Sequence, residues 1–287
     1  MGSKEEDVPV EPTEKPSFIE DMTEAERNTA LELPVGIKNL GNTCYLNAVV
    51  QCLKTVPELH SAIIDFKPKR PGAEGESSGT PSSMLTLEVD SGSLLTLAIQ
   101  DCYRTMDSGK TAVPVVLVNL FRSTFPRFAE QGEQGMYMQQ DASECWTELM
   151  RLLMQEVPAK DASKTAKSFA FFYKEKEAVN AKILKDVKFP MVLDVFDLCT
   201  PELQKKLSPI RGKYKANYGS NNSGFYQLQA VLTHQGRSSS SGHYVGWVRW
   251  RGNEWLKCDD DDVTPVLEED ILKLSGGGEC WGVELSE

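Results

Sequence analysis

The apolar residues of this chain change their spacing once, and that single change limits the folds open to it. Up to about residue 158 they recur at helical intervals, and from about residue 169 they alternate as strands do. Leu46, Val49, Val50 and Leu53 follow the i, i+3, i+4, i+7 pattern, so a helix is expected from Cys44. Asn42 or Thr43 would cap it and Pro57 would end it. Leu94–Met106 and Pro114–Phe121 read as further helices. Asp141 precedes a strongly amphipathic one, with Glu144 in the capping-box position. Cys145, Leu149, Leu152 and Leu153 form its apolar stripe, and Pro158 stops it. The segments FAFFYKEK, VKFPMVLDVF, YQLQAVLTH, HYVGWVRW and EWLKC then read as strands. The last two are joined by the three-residue turn Arg251–Asn253. Helices first and strands later is the order of an α+β protein, not of a βαβ parallel sheet.

Around this frame, residues 1–33 read as an acidic tail. It holds one short helical segment, Glu20–Leu33, with Thr23 and Glu26 as its capping box. The Gly/Pro/Ser-rich stretch Lys67–Ser83 reads as an exposed loop, and Ala159–Ser168 as a short connector. Residues 34–287 then form one domain, helical over 34–158 and sheet-forming over 169–287. No apolar run reaches the length of a membrane span, and the acidic start lacks the apolar core of a signal peptide, so neither membrane insertion nor secretion is expected. A net charge of −11 argues against nucleic acid as a partner, because phosphates reward clustered Lys and Arg; it leaves room for a basic protein. The seven cysteines are odd in number and none is spaced C-x-x-C. A disulfide scaffold or a zinc ribbon is therefore disfavoured, and a reducing compartment, cytoplasm or nucleus, is expected. No metal or cofactor is expected.

One cysteine stands apart. A nucleophilic thiol must reach the thiolate form, lie partly exposed and have a base beside it. Cys44 in GIKNLGNTCYLNAVVQCL sits at a helix start, where free N–H groups and the helix dipole favour an anion. Cys52 and Cys145 lie mid-helix on apolar stripes, the usual setting of an inert buried thiol. A helix-start cysteine is more often structural than not, so the three histidines decide the matter. His60 follows Pro57 at a helix end and reads as surface; His234 ends a strand and reads as an edge or satisfied position. His243, after a Ser/Gly loop and at the start of an aromatic strand, is placed to face a cleft. Pairing of the two last strands brings Asp259 back level with His243, where its carboxylate can accept the other ring N–H. Asp261 and Asp262 read as a solvated turn, and Asp260 as a partial stand-in for Asp259. Asn39, in the loop before Cys44, can offer an amide N–H to a developing oxyanion, with the Cys44 backbone N–H as a second donor. Asn42 reads as a cap and Asn47 as a polar helix face.

These residues carry a resemblance. GIKNLGNTCYLNAVVQCL resembles the Cys box of the ubiquitin-specific proteases. QQDASECWTELM is similar to their Gln-Gln-Asp segment, and SGHYVGWVRW…EWLKCDDDDVTPV to their His box, in the family's order. FPRFAEQGEQGMYMQQDASECW, FFYKEKEAVNAKILKDVKFP and LQAVLTHQGRSSSSGHYV resemble the proteasome-associated branch. The resemblance implies a papain-like cysteine protease fold, a helical thumb beside an antiparallel palm. It implies Cys44 as nucleophile, His243 as base, Asp259 as orienter and Asn39 at the oxyanion hole, with Gln140, Asp141, Ser240 and Tyr244 toward the substrate. The reaction would be thiol-dependent hydrolysis after the C-terminal glycine of ubiquitin. The partners would be ubiquitin, ubiquitinated proteins and the 26S proteasome.

The chain also departs from the family. Only Ala159–Ser168 stands where members carry a finger insertion, so the fingers are expected to be shortened or absent. Cys258 stands where Phe is usual, and the end, ECWGVELSE, replaces a buried apolar strand, so open sheet edges are expected. Two readings follow: an active deubiquitinase, or a catalytically weak variant that binds ubiquitin or the proteasome. The RSSSS run at Arg237–Ser241 also suits a basic-directed kinase.

Overall fold

The computed structural model describes residues 33–68, 90–157, 188–211, 223–238, 241–275 and 281–284. The expected helix at Glu20–Leu33 and the expected strand FAFFYKEK lie outside these, as does Ser240. By internal contacts the chain divides into Met1–Pro34 and Val35–Glu287, and among the described residues the helices and strands all lie in the second unit.

Its helical half starts with α1, Cys44–Lys54, followed by α2 (Pro57–Ile64), α3 (Ser91–Asp107), α4 (Val115–Thr124) and α5 (Ala142–Glu156). Pro57 does more than end α1: it occupies the first turn of α2, where its missing N–H costs nothing. Asp90 caps α3 by accepting from Ser93 N, and Asp141 caps α5 by accepting from Glu144 N at 3.0 Å. The carbonyls left over at the end of α2 are met by side chains: Gln100 Nε2 donates to Ile63 O, Ile64 O and Phe66 O, and Arg104 also donates to Ile64 O.

The stripe expected on α1 understates its burial. Every residue from Cys44 to Leu53 is buried, including Asn47 and Gln51, because helices pack on one side of α1 and the sheet on the other. On the helical side, Tyr45 stacks on Phe128 with centroids 6.0 Å apart, and Phe121 lies 4.7 Å from Phe128. Toward the sheet, Gly246 lets α1 approach closely: a Cβ there would meet Cys52 Sγ at 3.4 Å and Ala48 O at 3.5 Å.

The second half holds a two-stranded ribbon, β1 (Val192–Asp194) with β2 (Phe225–Gln227), and a helix the sequence reading did not anticipate, α6 (Pro201–Arg211). Arg211 clamps this small unit, ion-paired to Asp194 and lying over the rings of Phe196 and Phe225. The main sheet is antiparallel: β3 (Ala230–Ser238), β4 (Ser241–Arg249), β5 (Trp255–Asp259), β6 (Asp262–Val266) and β7 (Trp281–Glu284), in the order β6-β5-β4-β3-β7. The helix α7, Glu268–Leu272, covers one end of a core made by Val231, Val245, Trp247, Trp255 and Ile271. Pro265 lies in β6 at the sheet edge, where a missing backbone donor is tolerated. The chain's end, expected to leave open sheet edges because it replaces an apolar strand, itself forms β7, which covers β3 from Leu232↔Glu284 to Gln235↔Trp281. Helical layer, then antiparallel sheet, gives the α+β fold expected. No helix among the described residues is long and apolar enough to cross a membrane.

Candidate active site

The two halves meet where the N-terminus of α1 faces the ends of β4 and β5. Cys44 is the first residue of α1 and hydrogen-bonds the imidazole of His243. His243 Nε2 lies 2.6 Å from Asp259 Oδ1, which leaves Nδ1 for the sulfur. The sheet register sets this pair. Gly246 pairs with Cys258, so Asp259 falls opposite Val245, two residues from His243 on the same face. The expected level pairing is thus a diagonal one, and the side chains span the offset.

Electrostatics follow from these contacts. The hydrogen bond to Cys44 is the largest influence on His243; with Asp259 it outweighs burial and pushes the imidazole up to about 9. For Asp259, burial works to raise the carboxyl. Lys257 Nζ, 2.8 Å from Oδ2, and His243 outweigh it and hold the group below the usual carboxylate range. Each carboxylate oxygen of Asp259 therefore has its own cation. Sequence reasoning passed over Lys257, although its place two residues before Asp259 puts both on one strand face.

Asp260 is no part of a solvated turn. It has φ of 55°, is only 8 % exposed, and points its carboxylate into the helical half. Oδ2 accepts from Asn39 Nδ2 at 2.8 Å and Oδ1 from Asn47 Nδ2 at 2.8 Å. Its carbonyl accepts from Ile37 N at 3.0 Å and Gln51 Nε2 at 3.2 Å. So Asn47, expected on a polar face, is a buried strut. Asp260 Oδ2 lies 4.0 Å from His243 Nε2, farther than Asp259. Gly36 makes this approach possible, because a Cβ there would lie 2.2 Å from Asp260 O.

The loop before Cys44 is built on Asn39. Its Oδ1 accepts from Gly41 N, Thr43 N and Thr43 Oγ1 while its Nδ2 donates to Asp260. Thr43 stands at the N-cap position but makes no side-chain cap. Its hydroxyl instead accepts from Leu40 N. Asn42 adopts φ of 51° and donates to Tyr137 O.

Other expected residues fall differently. Gln140 is half-buried at the mouth of α5, and Asp141 is that helix's cap. Tyr244 is 1 % exposed with its ring 4.4 Å from that of His234, so it presents no open face to a substrate. Cys44 itself is only 3 % exposed, against the expected partly open thiol, because neighbouring side chains crowd the sulfur. One of them was missed: Gln139, 6 % exposed, points Nε2 at Cys44 Sγ from 3.6 Å. His60, read as surface, pairs with Asp107 at 2.9 Å. His243, Asp259 and Asp260 are the metal-compatible cluster among the described residues, and their ligand atoms are already engaged with one another, Lys257, Asn39 and Asn47.

A thiol at a helix start, an imidazole and a carboxylate in line are the arrangement that cysteine hydrolases of papain-like design use. The sequence profile described as ubiquitin carboxyl-terminal hydrolase matches residues 35–175 and 167–278. Ubiquitin carboxyl-terminal hydrolase 6 of Arabidopsis thaliana is 30 % identical, the match covering 97 % of this chain and 82 % of the relative. Ubiquitin carboxyl-terminal hydrolase 14 of Caenorhabditis elegans is 31 % identical over 97 % of this chain and 77 % of its own. The fold is similar to that in the SAGA deubiquitinating module of Ubp8, Sgf11, Sus1 and Sgf73 bound to monoubiquitin. That match has a TM-score of 0.52 and 13 % identity over 88 % of this chain and 70 % of the other. The chain belongs to the ubiquitin carboxyl-terminal hydrolase family, the cysteine-type deubiquitinases of ubiquitin-specific protease fold. The Arabidopsis alignment runs over 412 residues against a chain of 287, so the relative carries stretches with no counterpart here.

Proposed function

We propose that this chain hydrolyses the peptide or isopeptide bond after the C-terminal glycine of ubiquitin, with Cys44 as nucleophile. The observation that carries the reading is the line Cys44–His243–Asp259. His243, hydrogen-bonded to the sulfur, is placed to take the Cys44 proton as the sulfur attacks. The thiolate attacks the glycine carbonyl and the C=O electron pair moves to oxygen. Collapse breaks the C–N bond, and the leaving amine takes the proton from His243. Neutral His243 then removes a proton from water, which attacks the thioester and releases the ubiquitin carboxylate and the Cys44 thiol. Asp259 orients the imidazole, and Lys257 holds the far oxygen of Asp259.

Proteasome-bound conjugates are the proposed substrates, supported by the resemblance of FPRFAEQGEQGMYMQQDASECW to the proteasome-associated branch. A second reading, a weakly active ubiquitin-binding variant, is favoured by the unmatched stretches of the longer relatives. An electrophilic ubiquitin probe separates them. Labelling of wild type but not Cys44→Ala, with turnover of a ubiquitin amide that rises on added proteasome, supports the first. Binding of ubiquitin without labelling would replace it by the second.

A further inference from the structure

We infer that Gln139 is a catalytic residue that donates a hydrogen bond from Nε2 to the oxyanion formed on Cys44. The inference rests on the thiol-hydrolase reading above and adds a residue to it. Gln139 Nε2 stands 3.6 Å from Cys44 Sγ, and its side chain is almost wholly buried. In a tetrahedral adduct the oxyanion is two bonds from the sulfur. A donor this close to Sγ is therefore within reach of that oxygen, on the side the amide occupies.

The amide is held before any substrate arrives. On its N-terminal side the loop is pinned by Met138 N to Glu130 O, Gly132 N to Met136 O and Asn42 Nδ2 to Tyr137 O, each 2.9 Å. Arg122 lies over the Tyr137 ring, 3.6 Å from its centroid. On its C-terminal side, two residues on, Asp141 fixes the start of α5. A donor locked on both flanks pays no reorganisation when charge appears. Asn39 is placed differently. One N–H of its amide is committed to Asp260 and its carbonyl oxygen to three donors of its own loop, so it ties the start of α1 to the sheet. In the step itself, Gln139 gains and loses no proton. It donates to the sulfur in the resting enzyme and to the oxyanion after attack, and returns to the sulfur when the C=O bond re-forms and the C–N bond breaks.

The test uses the full chain with Gln139→Met, which keeps the volume and removes the donor, and Gln139→Glu, which keeps the shape. Turnover of a ubiquitin amide and affinity for ubiquitin aldehyde and for ubiquitin with a free carboxylate are measured. Expected for both variants is a loss in kcat of about 10²-fold with KM within twofold, as for other oxyanion donors. Affinity for the aldehyde, whose adduct carries the oxygen, should fall by a similar factor while that for the carboxylate form holds. Should Gln139→Met fail to melt cooperatively, Gln139→Glu decides alone. A folded variant with kcat within threefold of wild type overturns the inference and leaves the hydrolase reading standing, as does equal weakening of both ubiquitin forms. A wild-type chain without turnover removes both.

Discussion

At the scale of the residue, His243 determines how the site responds to pH. Contact with Cys44 first, then Asp259, keeps the imidazole charged to about 9 against the opposing effect of burial. Hydrolysis should therefore fall as pH rises through about 9, where the proton needed by the leaving amine is lost; a kcat/KM profile on a ubiquitin amide checks this. The folded value lies above the unfolded value of about 6.5, so the stabilisation it brings is whole below that pH and is lost as pH climbs toward 9. Melting temperatures of wild type and His243→Gln should accordingly converge on the alkaline side. Lys257 bears on the same group. The charges facing His243 are Asp259 and Asp260 from the β5–β6 hairpin and Cys44 from α1, and Lys257 partly neutralises the first of these. Lys257→Met should move the alkaline limb to higher pH, because Asp259 would then pull on the imidazolium undivided, and should lower kcat several-fold as the carboxylate loses its second anchor. An unmoved limb would show that Lys257 sits beside the triad without tuning it.

At the scale of elements, the β5–β6 turn and the start of α1 are one structure. Asp260 turns back under the triad and binds Asn39, Asn47, Gln51 and Ile37 at once. Asp260→Ala removes the acceptor of the buried Asn47 amide and of the half-buried Asn39 amide, so a loss of about 1–3 kcal/mol is expected in denaturant unfolding. Asp259→Ala should do the opposite: little change in stability, but a fall in kcat of about 10²–10⁴-fold. If Asp260 served as a stand-in orienter, Asp259→Ala would keep most of its activity, and the same assay reads that outcome. Gly36→Ala would press a methyl into the Asp260 carbonyl, 2.2 Å away, and separate the two elements. It should lower stability by about 1–3 kcal/mol, as overpacking does, and lower kcat as well, because Asn39 and Cys44 follow on the same loop.

At the scale of the whole molecule, the candidate active site is made by contact between two differently built halves. Cys44 and Asn39 come from the helical one; His243, Lys257, Asp259 and Asp260 come from the sheet. Neither half carries a proton-transfer pair alone, so local loosening of their interface should cost activity before the chain unfolds. A guanidinium titration followed by turnover and by far-ultraviolet circular dichroism should show activity lost first. Residues 1–33 fall in the other contact unit, and their deletion should leave probe labelling within about twofold of wild type while the chain keeps its cooperative melt.

The residues before Cys44 and around His243 read clearly in the sequence because their cues are local: a glycine loop, a helix start, a strand start, a hairpin turn of fixed length. Helix order, the α+β class and the hairpin that brings Asp259 toward His243 follow from periods of 3.6 and 2 alone. The parts that could not be read depend on distance across the fold. Asn47 and Gln51 have the polarity of a surface face, and only packing on both sides of α1 buries them. Asp260 is one acidic residue among four in sequence, and only the left-handed turn between β5 and β6 aims it inward. Gln139 stands beside the two residues singled out from the same motif, yet its aim at Cys44 depends on where a loop 95 residues away comes to rest. Sequence thus determined which residues have the chemistry for thiol hydrolysis. Tertiary structure decided which of them touch, because contact between groups far apart in the chain is set by packing rather than by local pattern.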